Sequence, residues 1–300
     1  MELNENADID TSQVEDRRGS GGGGGGLGGL PIPIGGGGLV GIIITIVIAV
    51  AGGYFGFNQL GGGSETGDNT NITQECSQQG ALDKLECRNV LYINSIQAYW
   101  RTATPENFNI EYQPAKTVIF SQRVNTACGA ADSGVGPFYC PADNNVYIDL
   151  TFYQVLSKQL GAPGEFAQPY VLAHEYGHHI QDITGTEAKM RRAQQGASAS
   201  EKNALSVKLE LQADCYAGAW AKAATATTDQ DGDKIFKSLT QQDIQEGIQT
   251  AGQIGDDVLQ KRGGNPVNPE EFTHGTAAQR QQAFSKGYES GSPKSCATSF

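Results

Sequence analysis

From Leu39 to Phe57 the chain runs nineteen residues without a charge, and Ile42 to Val50 within that run is almost continuous β-branched aliphatic. No other feature restricts the architecture as strongly, because a run of this length and apolarity is about the minimum that spans a bilayer as a helix. Glycine tracts precede it and Gly61-Gly62-Gly63-Ser64 follows it, which disfavours a helix buried in a folded core. The expectation is a single transmembrane helix over residues 39–57. The nearest bases are Arg17 and Arg18 on one side and Lys84 on the other. The positive-inside rule then predicts a cytoplasmic N-terminus at the cell membrane, with everything after Phe57 extracytoplasmic. Ala49-Val50-Ala51 also fits a signal-peptide cleavage pattern, but behind an acidic leader of nearly forty residues, so a retained single-pass anchor is the preferred reading.

The run divides the chain into unlike materials. Residues 1–38 pass from an acidic stretch into glycine tracts, and half of the chain's 40 glycines fall before residue 64. Such a segment cannot offset the entropy of ordering its backbone, and it reads as a disordered tail. Residues 58–74 read as a polar linker and 75–300 as one domain. Beyond residue 38 there are 27 acidic and 19 basic residues, so the domain is itself acidic and lacks the basic footprint that nucleic acid selects. Nucleic acid is excluded as a partner; the oligomeric state has no signature here.

Six cysteines, Cys76, Cys87, Cys128, Cys140, Cys215 and Cys296, all lie after the apolar run. No two have the close spacing of a zinc ribbon, so disulfides are the better reading. Fifteen pairings are open. The simplest joins Cys76 to Cys87 and Cys128 to Cys140, leaving Cys215 with Cys296.

Apolar residues at helical spacing predict an amphipathic helix from Ala81 to Trp100, and short strands are predicted over Thr117–Phe120 and Val146–Leu150. The fold class is α+β, mainly helical with a small sheet. Pro169 to Ile183 reads as a helix carrying His174-Glu175-Tyr176-Gly177-His178, an HExxH motif. Residues four apart on a helix share a face, so the two imidazoles can bind one ion, with Glu175 turned toward the open side as general base. His179 points about 100° away from His178 and is left as structural.

Catalytic zinc takes three protein ligands and keeps a position for water. A second helix, Asn203 to Lys222, carries Glu210 and Asp214, again four apart on one face. Glu210 completes a set of two histidines and a glutamate, and Asp214 accepts the second ring N–H of a zinc histidine. The competing reading makes both acids ordinary solvated helix residues. Asp229-Gln230-Asp231-Gly232-Asp233 alternates acids as a calcium loop does, but its glycine falls at position four instead of six, so it fails the EF-hand pattern.

His174-Glu-Tyr-Gly-His178 followed by Glu210-x-x-Ala-Asp214 resembles the gluzincin zinc peptidases. More closely, the ordered segments Cys128-Gly129, Gly136-Pro-Phe-Tyr-Cys140-Pro-x-Asp143, Val146-Tyr-Ile-Asp149, His174 to Gln181 and Thr273-His274-Gly275 resemble the neutral zinc metallopeptidase family of bacterial envelope proteins. The resemblance covers roughly residues 75–290. It implies a zincin-like, membrane-anchored domain that binds Zn2+ through His174, His178 and Glu210. Peptide bonds of a peptide or protein substrate would be hydrolysed by a zinc-activated water with Glu175 as base. It also implies His274 as a hydrogen-bond donor to the oxyanion, and Val146–Leu150 as the sheet edge that pairs with an extended substrate. Three rival functions remain: a zinc-dependent amide hydrolase acting on a non-peptide envelope polymer, a binding domain that keeps zinc without turnover, and a latent enzyme whose N-terminal tail or a partner controls access.

Overall fold

The computed structural model describes residues 1–18, 69–162 and 164–300. Two short strands, β1 (Glu2–Leu3) and β2 (Val14–Asp16), precede helices α1 (Thr70–Cys76) and α2 (Leu85–Phe108). Five strands follow: β3 (Lys116–Phe120), β4 (Arg123–Thr126), β5 (Gly129–Asp132), β6 (Phe138–Cys140) and β7 (Asn145–Asp149). Helices α3 (Phe152–Lys158), α4 (Ala167–Ile183), α5 (Thr186–Ala193) and α6 (Ala199–Ala223) come next. Strand β8 (Phe236–Ser238) then leads to α7 (Gln241–Gln253), α8 (Asp256–Arg262) and α9 (Ala277–Ser290). The α+β, mainly helical class is as expected.

Helix boundaries follow local chemistry. Ser198 with Glu201, Thr240 with Asp243 and Thr276 with Gln279 form capping boxes that satisfy the first free N–H groups of α6, α7 and α9. Helices α6 and α9 then pack backbone to backbone through glycine. A Cβ on Gly287 would lie 1.8 Å from the carbonyl oxygen of Cys215, and one on Gly218 would lie 2.0 Å from that of Phe284. The approach of α4 to α6 is gentler, with the Cβ position at Gly177 3.0 Å from the Cα of Ala213. Behind these helices Trp100, Trp220, Tyr216 and Phe236 form a buried aromatic core.

The main sheet has the order β2-β3-β7-β6, parallel except for β6. This corrects the expectation for Val146–Leu150: β7 is paired on both sides, and β6 holds the edge. The hairpin of β4 and β5 contributes Val124 to a small cluster with Val118, Phe120, Phe138, Cys140 and Tyr147. The three disulfides are Cys76–Cys87, Cys128–Cys140 and Cys215–Cys296.

The N-terminal segment departs most from expectation. Residues 1–18 belong to the folded body: β1 pairs with β8, β2 adds a strand beside β3, and Val14 is fully buried. The backbone N–H of Asp10 donates to Asn94 Oδ1 at 3.0 Å, and Asn94 Nδ2 returns a bond to the Asp10 carbonyl at 3.0 Å. The polar composition misled because the ordering energy comes from partners remote in sequence. Helix α1 likewise begins inside the predicted 58–74 linker.

These contacts overturn the single-pass topology. Asp16 N–H donates to Asn69 Oδ1 and Asn69 Nδ2 donates to the Val14 carbonyl, both at 2.8 Å, so residues 14–16 and residue 69 lie side by side. One membrane crossing between residues 18 and 69 would put these partners on opposite faces of the bilayer. The cytoplasmic N-terminus with an extracytoplasmic domain is therefore incorrect. No helix among the described residues is long and apolar enough to cross a membrane, and the run 39–57 lies outside them.

Candidate metal and catalytic site

Helix α4 supplies His174 and His178 on one face, and α6 lays Glu210 against them because Gly177 and Ala213 let the two backbones approach. Glu210 Oε2 lies 3.2 Å from His174 Nε2, and Glu210 Oε1 lies 3.5 Å from His178 Nε2. One ligand atom from each of the three residues falls within 4.8 Å of the others. Tetrahedral zinc ligands at bond lengths of ~2.0–2.1 Å stand roughly 3.3 Å apart. Two imidazole nitrogens and a carboxylate at this spacing fit that ion.

Both rings are oriented by their second nitrogen. His174 Nδ1–H donates to Asp214 Oδ1 at 2.8 Å, and His178 Nδ1–H donates to Gln181 Oε1 at 2.9 Å. Gln181 is held in turn by its Nε2, which donates to the Leu209 carbonyl at 2.6 Å and to Gln212 Oε1 at 3.1 Å. Each Nε2 lone pair is thereby turned toward Glu210, the arrangement a metal histidine requires. His179 faces away as expected, its Nε2–H donating to the Gln113 carbonyl at 2.6 Å.

Asp214 has no exposed surface and takes four bonds on its two oxygens. Besides His174, Tyr170 O–H donates at 2.6 Å, and Arg280 donates through Nε at 2.8 Å and Nη2 at 3.0 Å. Burial opposes ionisation of Asp214, but Arg280 and His174 outweigh it and hold the pKa down at about 2. Burial likewise opposes a charge on His174, and Asp214 with Glu210 outweighs it, pushing the ring up to about 10. The field of these carboxylates favours positive charge at the imidazoles, which is what a divalent cation supplies.

Glu175 and His274 line one cavity beside the three ligands. Glu175 Oε2 and His274 Nε2 are both buried and have no hydrogen-bond partner among the described residues. Burial raises the Glu175 pKa, against the opposing pull of His178 and His174. His274 is fixed by Asp256, whose Oδ2 accepts the backbone N–H groups of Thr273, His274 and Gly275 at 2.8, 2.7 and 2.9 Å. Asp256 Oδ1 lies 3.1 Å from His274 Nδ1.

The structure thus brings His174, Glu175, His178, Glu210, Asp214 and His274 together, while the six cysteines stand apart as disulfides. Sequence reasoning assigned no role to Asp256, Arg280, Tyr170 or Gln181, which stand in supporting positions. Gln181 had a signal, since i and i+3 on α4 place it beside His178. Gly255-Asp256-Asp257 reads as a turn, whereas Asp256 opens helix α8.

Residues 4–299 match the family model described as "Putative neutral zinc metallopeptidase". The Escherichia coli protein YpfJ is 40% identical over 296 residues, covering 96% of each chain. The Mycobacterium tuberculosis protein Rv2575 is 43% identical over 216 residues, 71% of this chain and 70% of its own. No solved structure matches the chain.

Proposed function

Because the chain belongs to the neutral zinc metallopeptidase family, we propose that it hydrolyses peptide bonds with zinc held by His174, His178 and Glu210. Zinc, when bound there, supplies a Lewis acid that polarises a carbonyl and makes a water more acidic. The work of the chain's own residues follows from their positions. Glu175 Oε2 accepts a proton from water as the water oxygen adds to the carbonyl carbon. Glu175 then passes that proton to the amine nitrogen as the C–N bond breaks. In its imidazolium form, with Nδ1–H on Asp256 Oδ1, His274 donates from Nε2 to the carbonyl oxygen as that oxygen gains negative charge. Strand β6 is the edge at which an extended substrate would add to the sheet, and Pro137 just before it lines the cavity.

One observation carries the reading: Glu175 Oε2 and His274 Nε2, both buried and unpartnered among the described residues, line one cavity beside a zinc-spaced ligand set. Unpartnered buried polar atoms cost stability, so they are expected where a reaction needs them. The test is Glu175→Gln, assayed for zinc content and for cleavage of a broad peptide library. Zinc should be retained while hydrolysis falls by about 10²–10⁴. Undiminished cleavage would remove Glu175 from the mechanism.

A further inference from the structure

The cavity beside Glu175 and His274 has two unlike halves. Its polar half is His174, Glu175, Glu210 and His274, with Tyr170 beside them; its other wall is Pro137, Phe152, Val171 and Ile254. These four apolar residues come from four segments: the approach to β6, the first residue of α3, the turn of α4 before His174, and the loop before α8. Phe152 and Val171 are only 8% and 5% exposed, so the wall is fixed by packing. Arg280 also borders the space, and four of its five N–H groups are engaged with Asp214, the Tyr170 hydroxyl and the Ile254 carbonyl.

Size sets the limit. The cavity measures about 50 Å³. An apolar cavity of about 150 Å³ admits benzene, so a third of that space takes roughly two or three carbon atoms. A carboxylate there would face the carboxylates of Glu175 and Glu210, and a lysine or aromatic side chain exceeds the room.

Resting on the peptidase reading, we infer that the site selects a small aliphatic side chain, from alanine to valine in size, on the residue beside the scissile bond. It rejects aromatic and acidic side chains at that position. The apolar wall supplies affinity in proportion to buried carbon, about fourfold per methylene-sized group.

The inference is tested on the full zinc-loaded chain by calorimetry with hydroxamates that differ only at the α-substituent: hydrogen, methyl, isopropyl, benzyl or carboxymethyl. Affinity should rise from hydrogen to isopropyl by at least tenfold, and benzyl and carboxymethyl should bind more weakly than methyl. Phe152→Ala should raise benzyl affinity at least tenfold, and Ile254→Ala provides the same enlargement should Phe152→Ala misfold. Equal affinities, benzyl binding tightest in the parent, no gain in a folded enlarged variant, or no binding by any member would each overturn the inference. Size-selective binding without cleavage of any peptide would leave the pocket standing and remove the peptidase reading. Cleavage without size selection would do the reverse.

Discussion

Two buried aspartates each hold a histidine of the site, and they do it differently. Asp214, in the middle of the long helix α6, reaches His174 side chain to side chain and is neutralised by Arg280 from α9. Asp256, at the start of the short helix α8, grips three consecutive backbone N–H groups and so fixes the turn that carries His274. One orients a ring inside a pre-packed helix pair, and the other builds the backbone beneath the ring. Losing the first leaves a buried charge unpaired; losing the second releases a loop. The difference predicts which perturbation costs the fold more and which leaves the metal in place while lowering turnover.

The sharpest way to break the comparison is Asp214→Ala, which strands the fully buried guanidinium of Arg280. Removing one partner of a buried ion pair costs about 3–5 kcal/mol. Chemical denaturation should show a loss of that order together with weakened zinc binding. A loss below about 1 kcal/mol would mean that Arg280 finds other partners, and the contrast with Asp256 would fall.

Asp256→Asn should cost less, about 1.5–3 kcal/mol for hydrogen bonds to a charged acceptor, with zinc content unchanged and turnover reduced. Its pH dependence has a definite sign. Burial opposes ionisation of Asp256, but His274 and the backbone N–H groups outweigh it and lower its pKa. A depressed folded pKa gives stability that is present above the ordinary carboxylate pKa and lost as pH falls through the folded value. The Tm difference between parent and variant should therefore be constant near neutrality and shrink only in acid below the ordinary carboxylate range. A difference that closes between pH 8 and 6 would point to another group.

The mildest perturbation is Gly177→Ala, which brings a methyl group to 3.0 Å from the Cα of Ala213 and presses α4 away from α6 by a few tenths of an ångström. Overpacking costs about 1–3 kcal/mol and alanine's better helix propensity returns about 1 kcal/mol, so stability should fall by about 2 kcal/mol or less, while zinc affinity falls because His174 and His178 separate from Glu210. Unaltered zinc affinity would show that the ligand set tolerates movement between the helices.

The part of the site that was legible in the sequence lies on long helices. His174, His178, Glu210 and Asp214 follow from a period of 3.6 residues and need only the two helices to meet. Asp256 was not legible, because its partners lie 17 to 19 residues away across a loop and its helix has seven residues. The same reason hid the first eighteen residues. They carry few apolar side chains, yet Val14 is buried and β2 pairs with β3 about a hundred residues later in the chain. The edge strand was misassigned because a pattern of buried residues marks a strand without saying which neighbour pairs with it. Both β6 and β7 are buried on the same scale, and only the pairing separates them.

Elemental analysis of the purified full-length chain, beside His174→Ala and Glu210→Ala, tests the central claim most directly. The ligand geometry predicts about one zinc per chain in the parent and a large loss in both variants. A parent without zinc, or full zinc retained in Glu210→Ala, would contradict the assignment of these three residues as the metal site.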